Sequence, residues 1–357
     1  MTHHRVSRLD AAPRLAVVGA TGAVGREMLT CLEKRNFPLS HLRLFASQRS
    51  AGGALPFKGR SMRIEELTAE CFTDTDIALF SASAAVARRY APLAVESGAV
   101  VIDNSSAFRL DPEVPLVVPE INAGELVRHR GLIANPNCAA IISIVPLWPL
   151  HRVNRIRRLV IATYQAASGA GAAAMQELLD ATRAHLDGRE HKPQVLPHPY
   201  AFNLFSHNTT IDPETGYNGE ETKVMLESRK ILGDPDLRIT ATCVRVPVLR
   251  AHAASLNVEF DRPITPAEVR SLLAGAPGVR VVDDPARNHF PMPSEAQGQG
   301  DILVGRIRQD VSDHSHRSIA MFVAGDQLLK GAALNAVQIA ELVCGGGQRA
   351  DHAYQFA

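Results

Sequence analysis

Cys138 stands in the run Ala134-Asn135-Pro136-Asn137-Cys138-Ala139-Ala140-Ile141-Ile142. A lone cysteine in an apolar stretch is ordinarily a small buried hydrophobe. This one follows a polar Asn-Pro-Asn turn and opens a helical pattern over Ala139–Leu150. A helix N-terminus stabilises a thiolate, and a thiolate is a strong nucleophile toward acyl carbons. Other polar residues sit where a purely structural chain has no need of them. The run from Asp103 to Arg109 follows a strand end, where ligands of open α/β sheets gather, and Arg109 suits a bidentate grip on phosphate. Gln165 ends a strand pattern and runs into Ser168-Gly169-Ala170-Gly171, small residues that admit a ligand closely. Glu220 and Lys223 lie three apart on one helix face, a spacing that by default makes a surface ion pair. Arg245 and His252 flank the apolar turn 246–251. A histidine near a strand start is more often structural than catalytic, yet histidine is the usual proton carrier near neutral pH. Nucleophile, base, cations and one acid together suggest thiolate attack on an activated acyl carbon, followed by hydride reduction of the thioester.

A hydride source is legible upstream. Gly19-Ala20-Thr21-Gly22-Ala23-Val24-Gly25 lies between an apolar run (Leu15–Val18) and a helical pattern to about Arg35. Glycines 19, 22 and 25 let the backbone turn tightly and approach a pyrophosphate, and the helix start at Thr21, Ala23 and Val24 supplies N–H donors. The alternative is a glycine-rich connection with no ligand. An NAD enzyme typically ends its second strand in an acid that bonds the ribose 2′-hydroxyl. Here that place reads Phe45-Ala46-Ser47-Gln48-Arg49-Ser50, without an acid. Ser47, Arg49 and Ser50 suit a 2′-phosphate, so the expected cofactor is NADP; the plain alternative for Arg49 is a solvated loop arginine.

The elements that must position these residues change texture along the chain. Up to Ala134, short strands near 42–45, 77–80, 100–103 and 132–134 alternate with helices, notably 84–96, which predicts a doubly wound parallel sheet. After Cys138 longer strands are grouped (156–163, 238–245, 252–260, 301–308, 318–323), with helices at 170–185, 220–231 and 266–273. That predicts an α+β domain with a mostly antiparallel sheet. The stretch 187–219 reads as a long loop or lobe, and 328–343 as a strongly apolar last helix. Residues 1–13 read as a disordered arm whose His3 and His4 are solvated rather than metal ligands. With 357 residues, 46% hydrophobic content and a net charge of +1, the chain reads as an ordinary globular protein with no call for a nucleic-acid or membrane-surface partner. Five scattered cysteines argue against a disulfide framework, and none pairs at metal-ligand spacing. Without a signal-peptide pattern or a membrane-length apolar run, the expected location is the cytosol.

Taken together, these motifs resemble the aspartate-semialdehyde dehydrogenase family, from Arg14 to about Leu342. Besides those already quoted, Gly305-Arg306-Ile307-Arg308 and the run from Lys330 to Gln338 carry the match. The resemblance implies a Rossmann-like NADP-binding domain over 14–137 and 330–357, and a catalytic and dimerisation domain over 138–329. It implies Cys138 as acyl-accepting nucleophile, His252 as general acid/base and Gln165 as the residue that orients substrate. Arg245 would bind the substrate α-carboxylate, and Glu220 (or its neighbour Glu221) its ammonium. Arg109, Asn137 and Lys223 would form the phosphate set, with Asn335, Ser168 and Gly169 on the nicotinamide side. The implied reaction is NADPH-dependent reduction of L-aspartyl-4-phosphate to the semialdehyde by a homodimer, feeding lysine, threonine, methionine and diaminopimelate synthesis. Two departures stand out. Ala139 and Ala140 replace the family's usual Ser-Thr, and 283–300, with Arg287, Asn288 and His289, is less regular than expected. N-acetyl-glutamyl-phosphate reductase is the nearest alternative, but its acetylated amine has no use for Glu220 and its cysteine motif usually has Gly in place of Asn137. Glyceraldehyde-phosphate dehydrogenase would need a Ser-Cys-Thr-Thr-Asn motif that is absent. A non-catalytic homologue would be expected to lose Cys138 or His252.

Overall fold

Apolar runs in the first third of the chain are continuous rather than alternating, as in strands buried on both faces. The computed structural model describes residues 12–345, so His3 and His4 and most of the expected arm lie outside the described residues. The chain divides into two units: Cys138–Gly331, and the remainder on either side of it.

The first unit contains β1 (Arg14–Val18), β2 (His41–Ala46), β3 (Ala54–Phe57), β4 (Arg60–Glu66), β5 (Ile77–Phe80), β6 (Val100–Asp103) and β7 (Leu132–Ala134). They form one sheet in the order β3-β4-β2-β1-β5-β6-β7, parallel throughout except for the β3–β4 hairpin. Val17, Val18, Leu79, Phe80 and Ile102 are fully buried at its centre. Helices α1 (Ala23–Lys34), α2 (Ala84–Glu96) and α3 (Pro119–Asn122) belong to this unit, as does the C-terminal helix Leu334–Val343. Arg35 ties α1 to that helix through two 2.7 Å hydrogen bonds to Glu341. The hairpin was not expected from the sequence. Its turn places Lys58 at φ 47° and Gly59 at φ 73°, the left-handed pair that joins two twisted strands in two residues.

The second unit contains β8 (Ile156–Gln165), β9 (Phe205–Ser206), β10 (Arg238–Arg245), β11 (His252–Phe260), β12 (Val279–Val281), β13 (Ile302–Gln309) and β14 (Ser318–Gly325). Their order is β12-β13-β14-β11-β8-β10-β9. Only β12–β13 and β8–β10 are parallel, so the mostly antiparallel sheet is as expected. Its helices are α4 (Cys138–Ile144), α5 (Trp148–Val153), α6 (Ala172–Leu186), α7 (Gly219–Leu232), α8 (Pro266–Leu273) and α9 (Pro293–Ala296). The single helix expected over Ala139–Leu150 is instead α4, a 3-10 turn (Val145–Leu147) and α5. Pro146 and Pro149 lack the N–H that an unbroken ladder needs. Likewise the expected last helix starts with a π turn, Leu329–Ala333, before becoming α-helical. The lobe after α6 hangs on Glu177, whose carboxylate accepts N–H bonds from Gln194, Val195 and Leu196, the latter two at 2.8 and 2.9 Å. Among the described residues no helix is long and apolar enough to cross a membrane, and no His/Cys/Asp/Glu group is arranged to hold a metal ion.

Candidate active site

Cys138 is the first residue of α4, half-buried, and in no disulfide. Pro136 fixes the turn before it, and the apolar run Ala139–Ile144 buries the helix that carries it. Space beside it is kept by Gly331 in the π turn: a Cβ there would lie 2.8 Å from the Cys138 Cβ. π turns of this kind recur at functional sites. Cys243 also faces this region but is buried, and burial pushes its thiol up to about 12, so it stays protonated and unreactive.

His252 opens β11 and is 1% exposed. Its Nδ1 accepts a hydrogen bond from the Ala166 backbone N–H at 3.0 Å. A backbone N–H only donates, so Nδ1 is the acceptor and the ring proton sits on Nε2. Burial, and then the nearby Arg245 cation, pull the imidazole down to about 3, so it is neutral at working pH. Nε2 is buried and has no hydrogen-bond partner among the described residues. Gly169 lies against it: a Cβ there would come within 2.9 Å of Nε2 and 3.2 Å of Arg245 Nη1. The loop holding Gly169 is fixed by Gln327, which binds Ser168 Oγ and accepts from Ala251 N at 2.9 Å. Ala251 sits at φ 72°, unusual for a residue with a side chain, and this bond holds it there.

Charged recognition groups surround these two. Gln165, at the end of β8, is oriented by Thr163 (3.1 Å) and donates to Glu220 Oε1 at 3.1 Å. Glu220 pairs on its other oxygen with Lys223 Nζ at 3.5 Å, so the i,i+3 pair is real but it is built onto a buried acid rather than a solvated one. Glu221 is committed elsewhere. Its Oε2 accepts from the Asn218 backbone in the α7 capping box (2.8 Å), and its Oε1 accepts from Cys243 N (2.9 Å). Arg245 ends β10, 4% exposed, with Nε on Asn208 Oδ1 (3.2 Å) and Nη1 on Ala166 O (3.4 Å). Burial pulls its guanidinium down from the ordinary arginine value, and the Glu220 carboxylate pushes back. Sequence reasoning missed His207, Asn208 and Gln327. His207 is buried and pushed down to about 4, mainly by that burial. The first two lie in the stretch read as a loop, and no local pattern marks them.

In the first unit the glycine loop is forced by contact. Gly19 has φ 79°, and a Cβ on it would meet Ser81 O at 2.2 Å; one on Gly25 would meet Gly19 O at 2.3 Å. Gly22 caps α1 with no side chain, leaving the amides of Ala23 and Val24 next to Thr21 for an anion. Ser47, Arg49 and Ser50 form a short turn after β2, with Ser47 and Arg49 exposed. These residues fit a dinucleotide. Arg109 is buried, its guanidinium held by the carbonyls of Asn135 (2.9 Å) and Asn104 (2.7 Å). Asn137 is buried one residue before the cysteine. Asn335 spends its amide N–H groups on Val117 O (3.0 Å) and Asn135 Oδ1 (2.7 Å), so it anchors the C-terminal helix to the Asn-Pro-Asn turn.

Residues 14–129 match the semialdehyde dehydrogenase NAD-binding domain and residues 147–330 the semialdehyde dehydrogenase dimerisation domain. The chain is 51% identical to an aspartate-semialdehyde dehydrogenase of Synechocystis over 92% of its own length and 97% of the relative's. It is 45% identical to one from Bacillus subtilis, with 92% and 96% covered. The chain belongs to the aspartate-semialdehyde dehydrogenase family. Among solved structures, aspartate semialdehyde dehydrogenase II of Vibrio cholerae, complexed with ASA, superposes with a TM-score of 0.90 at 40% identity, covering 93% of this chain and 98% of that one. The family enzyme of Candida albicans, solved with NADP, gives 0.71 at 25% identity, with 93% and 98% covered.

Proposed function

We propose that this protein reduces L-aspartyl-4-phosphate to L-aspartate-4-semialdehyde with NADPH, through a thioester on Cys138. The observation that carries the reading is that a buried cation, Arg245, and a buried acid, Glu220, held by Gln165, stand close enough to influence each other electrostatically without bonding each other. A substrate bearing both an α-carboxylate and a free ammonium complements that pair. An acetylated amine carries no charge to meet the Glu220 carboxylate, which is buried and already held by Gln165 and Lys223.

Cys138 attacks the acyl carbon, the C–O bond to phosphate breaks, and phosphate leaves with the bonding electrons toward Arg109, Asn137 and Lys223. Gln165 orients the acyl group. NADPH, held at the Gly19–Gly25 loop, would supply the hydride for reduction of the thioester. Negative charge then develops on the former carbonyl oxygen, and the Nε2–H of His252, a buried donor with no other partner among the described residues, meets it. Collapse of that species expels the Cys138 thiolate and releases the aldehyde. By microscopic reversibility the same Nε2–H meets the oxyanion that forms when the Cys138 thiolate adds to the aldehyde in the opposite direction.

NADP, rather than NAD, is supported by Arg49 and two serines at the end of β2, and by the NADP-bound relative. A homodimer is supported by the matching dimerisation domain and by the second sheet's half-exposed face. Val160, Ala162, Ser255 and Phe322 populate that face. A reducing, cytosolic setting suits a reactive thiol among five cysteines with no disulfide. The reading is tested by comparing turnover of L-aspartate semialdehyde with that of N-acetyl-L-glutamate semialdehyde. Preference for the acetylated compound would overturn it.

A further inference from the structure

The two charged groups that read the substrate's zwitterion are braced by one short segment. β9 lies antiparallel on the end of β10, with Phe205 opposite Arg245, and His207 N donates to Cys243 O at 2.8 Å. From there Asn208 Oδ1 accepts from Arg245 Nε at 3.2 Å, and Thr209 Oγ1 accepts from Glu220 N at 3.0 Å. The second bond on Arg245, to Ala166 O at 3.4 Å, is also to a neutral oxygen. Among the described residues no hydrogen bond engages its Nη2. The guanidinium is thus fixed by two uncharged acceptors while a donor edge is left for a ligand.

We propose that Asn208 is a specificity-determining positioning residue. It orients Arg245 through a neutral carbonyl, so that the buried cation is held in place with its charge reserved for the substrate carboxylate. The inference rests on the reading of Arg245 as the carboxylate-binding residue. Its physical content is a ranking of side chains. A carboxylate at position 208 would hydrogen-bond the guanidinium about twice as strongly as an amide does. If bracing were the whole role, aspartate would serve as well as asparagine or better. If the charge must be spared, aspartate is the worst choice, because it competes with substrate for the same cation. Asn208 is exposed, so its replacement leaves no buried void.

The test is steady-state kinetics of the full-length wild type, Asn208→Asp and Asn208→Ala in the phosphate-dependent oxidation of L-aspartate semialdehyde. We expect Asn208→Asp to raise KM for the semialdehyde about tenfold or more and Asn208→Ala only a few-fold, with kcat within about twofold. KM for phosphate should not move. An aspartate variant with KM equal to or below wild type overturns the inference. So does a fall in kcat shared by both variants together with a lowered melting temperature, which marks a merely structural residue. N-acetyl-L-glutamate semialdehyde also carries the α-carboxylate. If the wild type prefers it, the functional reading falls while the same KM ranking still judges Asn208. A wild type active on neither compound overturns both.

Discussion

At the scale of single residues, Glu220 and Glu221 show what a sequence leaves open and what geometry adds. Both are acids in the first turn of one helix, and spacing alone gives either the role of ammonium partner. The capping box is a property of the folded turn: Asn218 N and Cys243 N consume both oxygens of Glu221. Glu220 is the one that meets Gln165. Glu220→Gln should therefore raise KM for L-aspartate semialdehyde at least about tenfold with little change in melting temperature. Glu221→Ala should cost about 1–3 kcal/mol of stability through its two orphaned N–H groups. Denaturant titration of both variants alongside kinetics checks the split; the reverse pattern would exchange the two roles. Arg49 makes a separate case, because the proposal of NADP rests on a missing acid at a strand end, which has a definite meaning in a dinucleotide fold. Arg49→Glu should reverse the preference for NADP over NAD, measured as a ratio of kcat/KM, and an unchanged ratio would refute the assignment. His252 was readable as a histidine of interest, but its proton position was not. That came from Ala166 N, a donor brought close only by the β8–β11 pairing.

Secondary elements were legible where one period dominated. α8 and the strands β10 and β11 have the limits read from the sequence, because a capping Thr265, a Pro at the first turn and alternating burial mark them clearly. Elements set by turn chemistry or tertiary contact were not. The β3–β4 hairpin hides behind a Lys-Gly turn in a polar stretch, and β9 is two residues recruited by β10. The lobe after α6 is held by Glu177, a mid-helix acid that reads as an ordinary surface residue until three amides are seen on it. Burial pushes the Glu177 carboxyl up, and the three backbone N–H bonds outweigh this and leave it below the usual value. A carboxyl lowered on folding adds stability above its unfolded pKa, and that stability is lost as pH falls through the folded value. Glu177→Gln should destabilise by about 1–3 kcal/mol near neutral pH. It should also flatten the acid limb of the melting-temperature profile below about pH 4.3, the ordinary glutamate value. A variant that melts like wild type across that range would show that the lobe is held by other contacts.

On the scale of the whole molecule, bulk composition excluded more than it identified: near-neutral charge and scattered cysteines removed several classes without choosing one. The choice came from nine short motifs in a fixed order, and it is supported by relatives that span nearly their full length. Association was not readable from the chain, since a half-exposed sheet face looks in sequence like any amphipathic strand set. Sedimentation at micromolar concentration should give a dimer, and a single monomer species would remove that part of the account. The central claim is that Cys138 carries the acyl group, and one comparison tests it most directly. NADPH formation is followed from L-aspartate semialdehyde, NADP and inorganic phosphate, with wild type and Cys138→Ala side by side. The account predicts phosphate-dependent turnover in the wild type and its loss, by at least about a thousandfold, in a folded Cys138→Ala protein. Turnover that survives in the variant would contradict it.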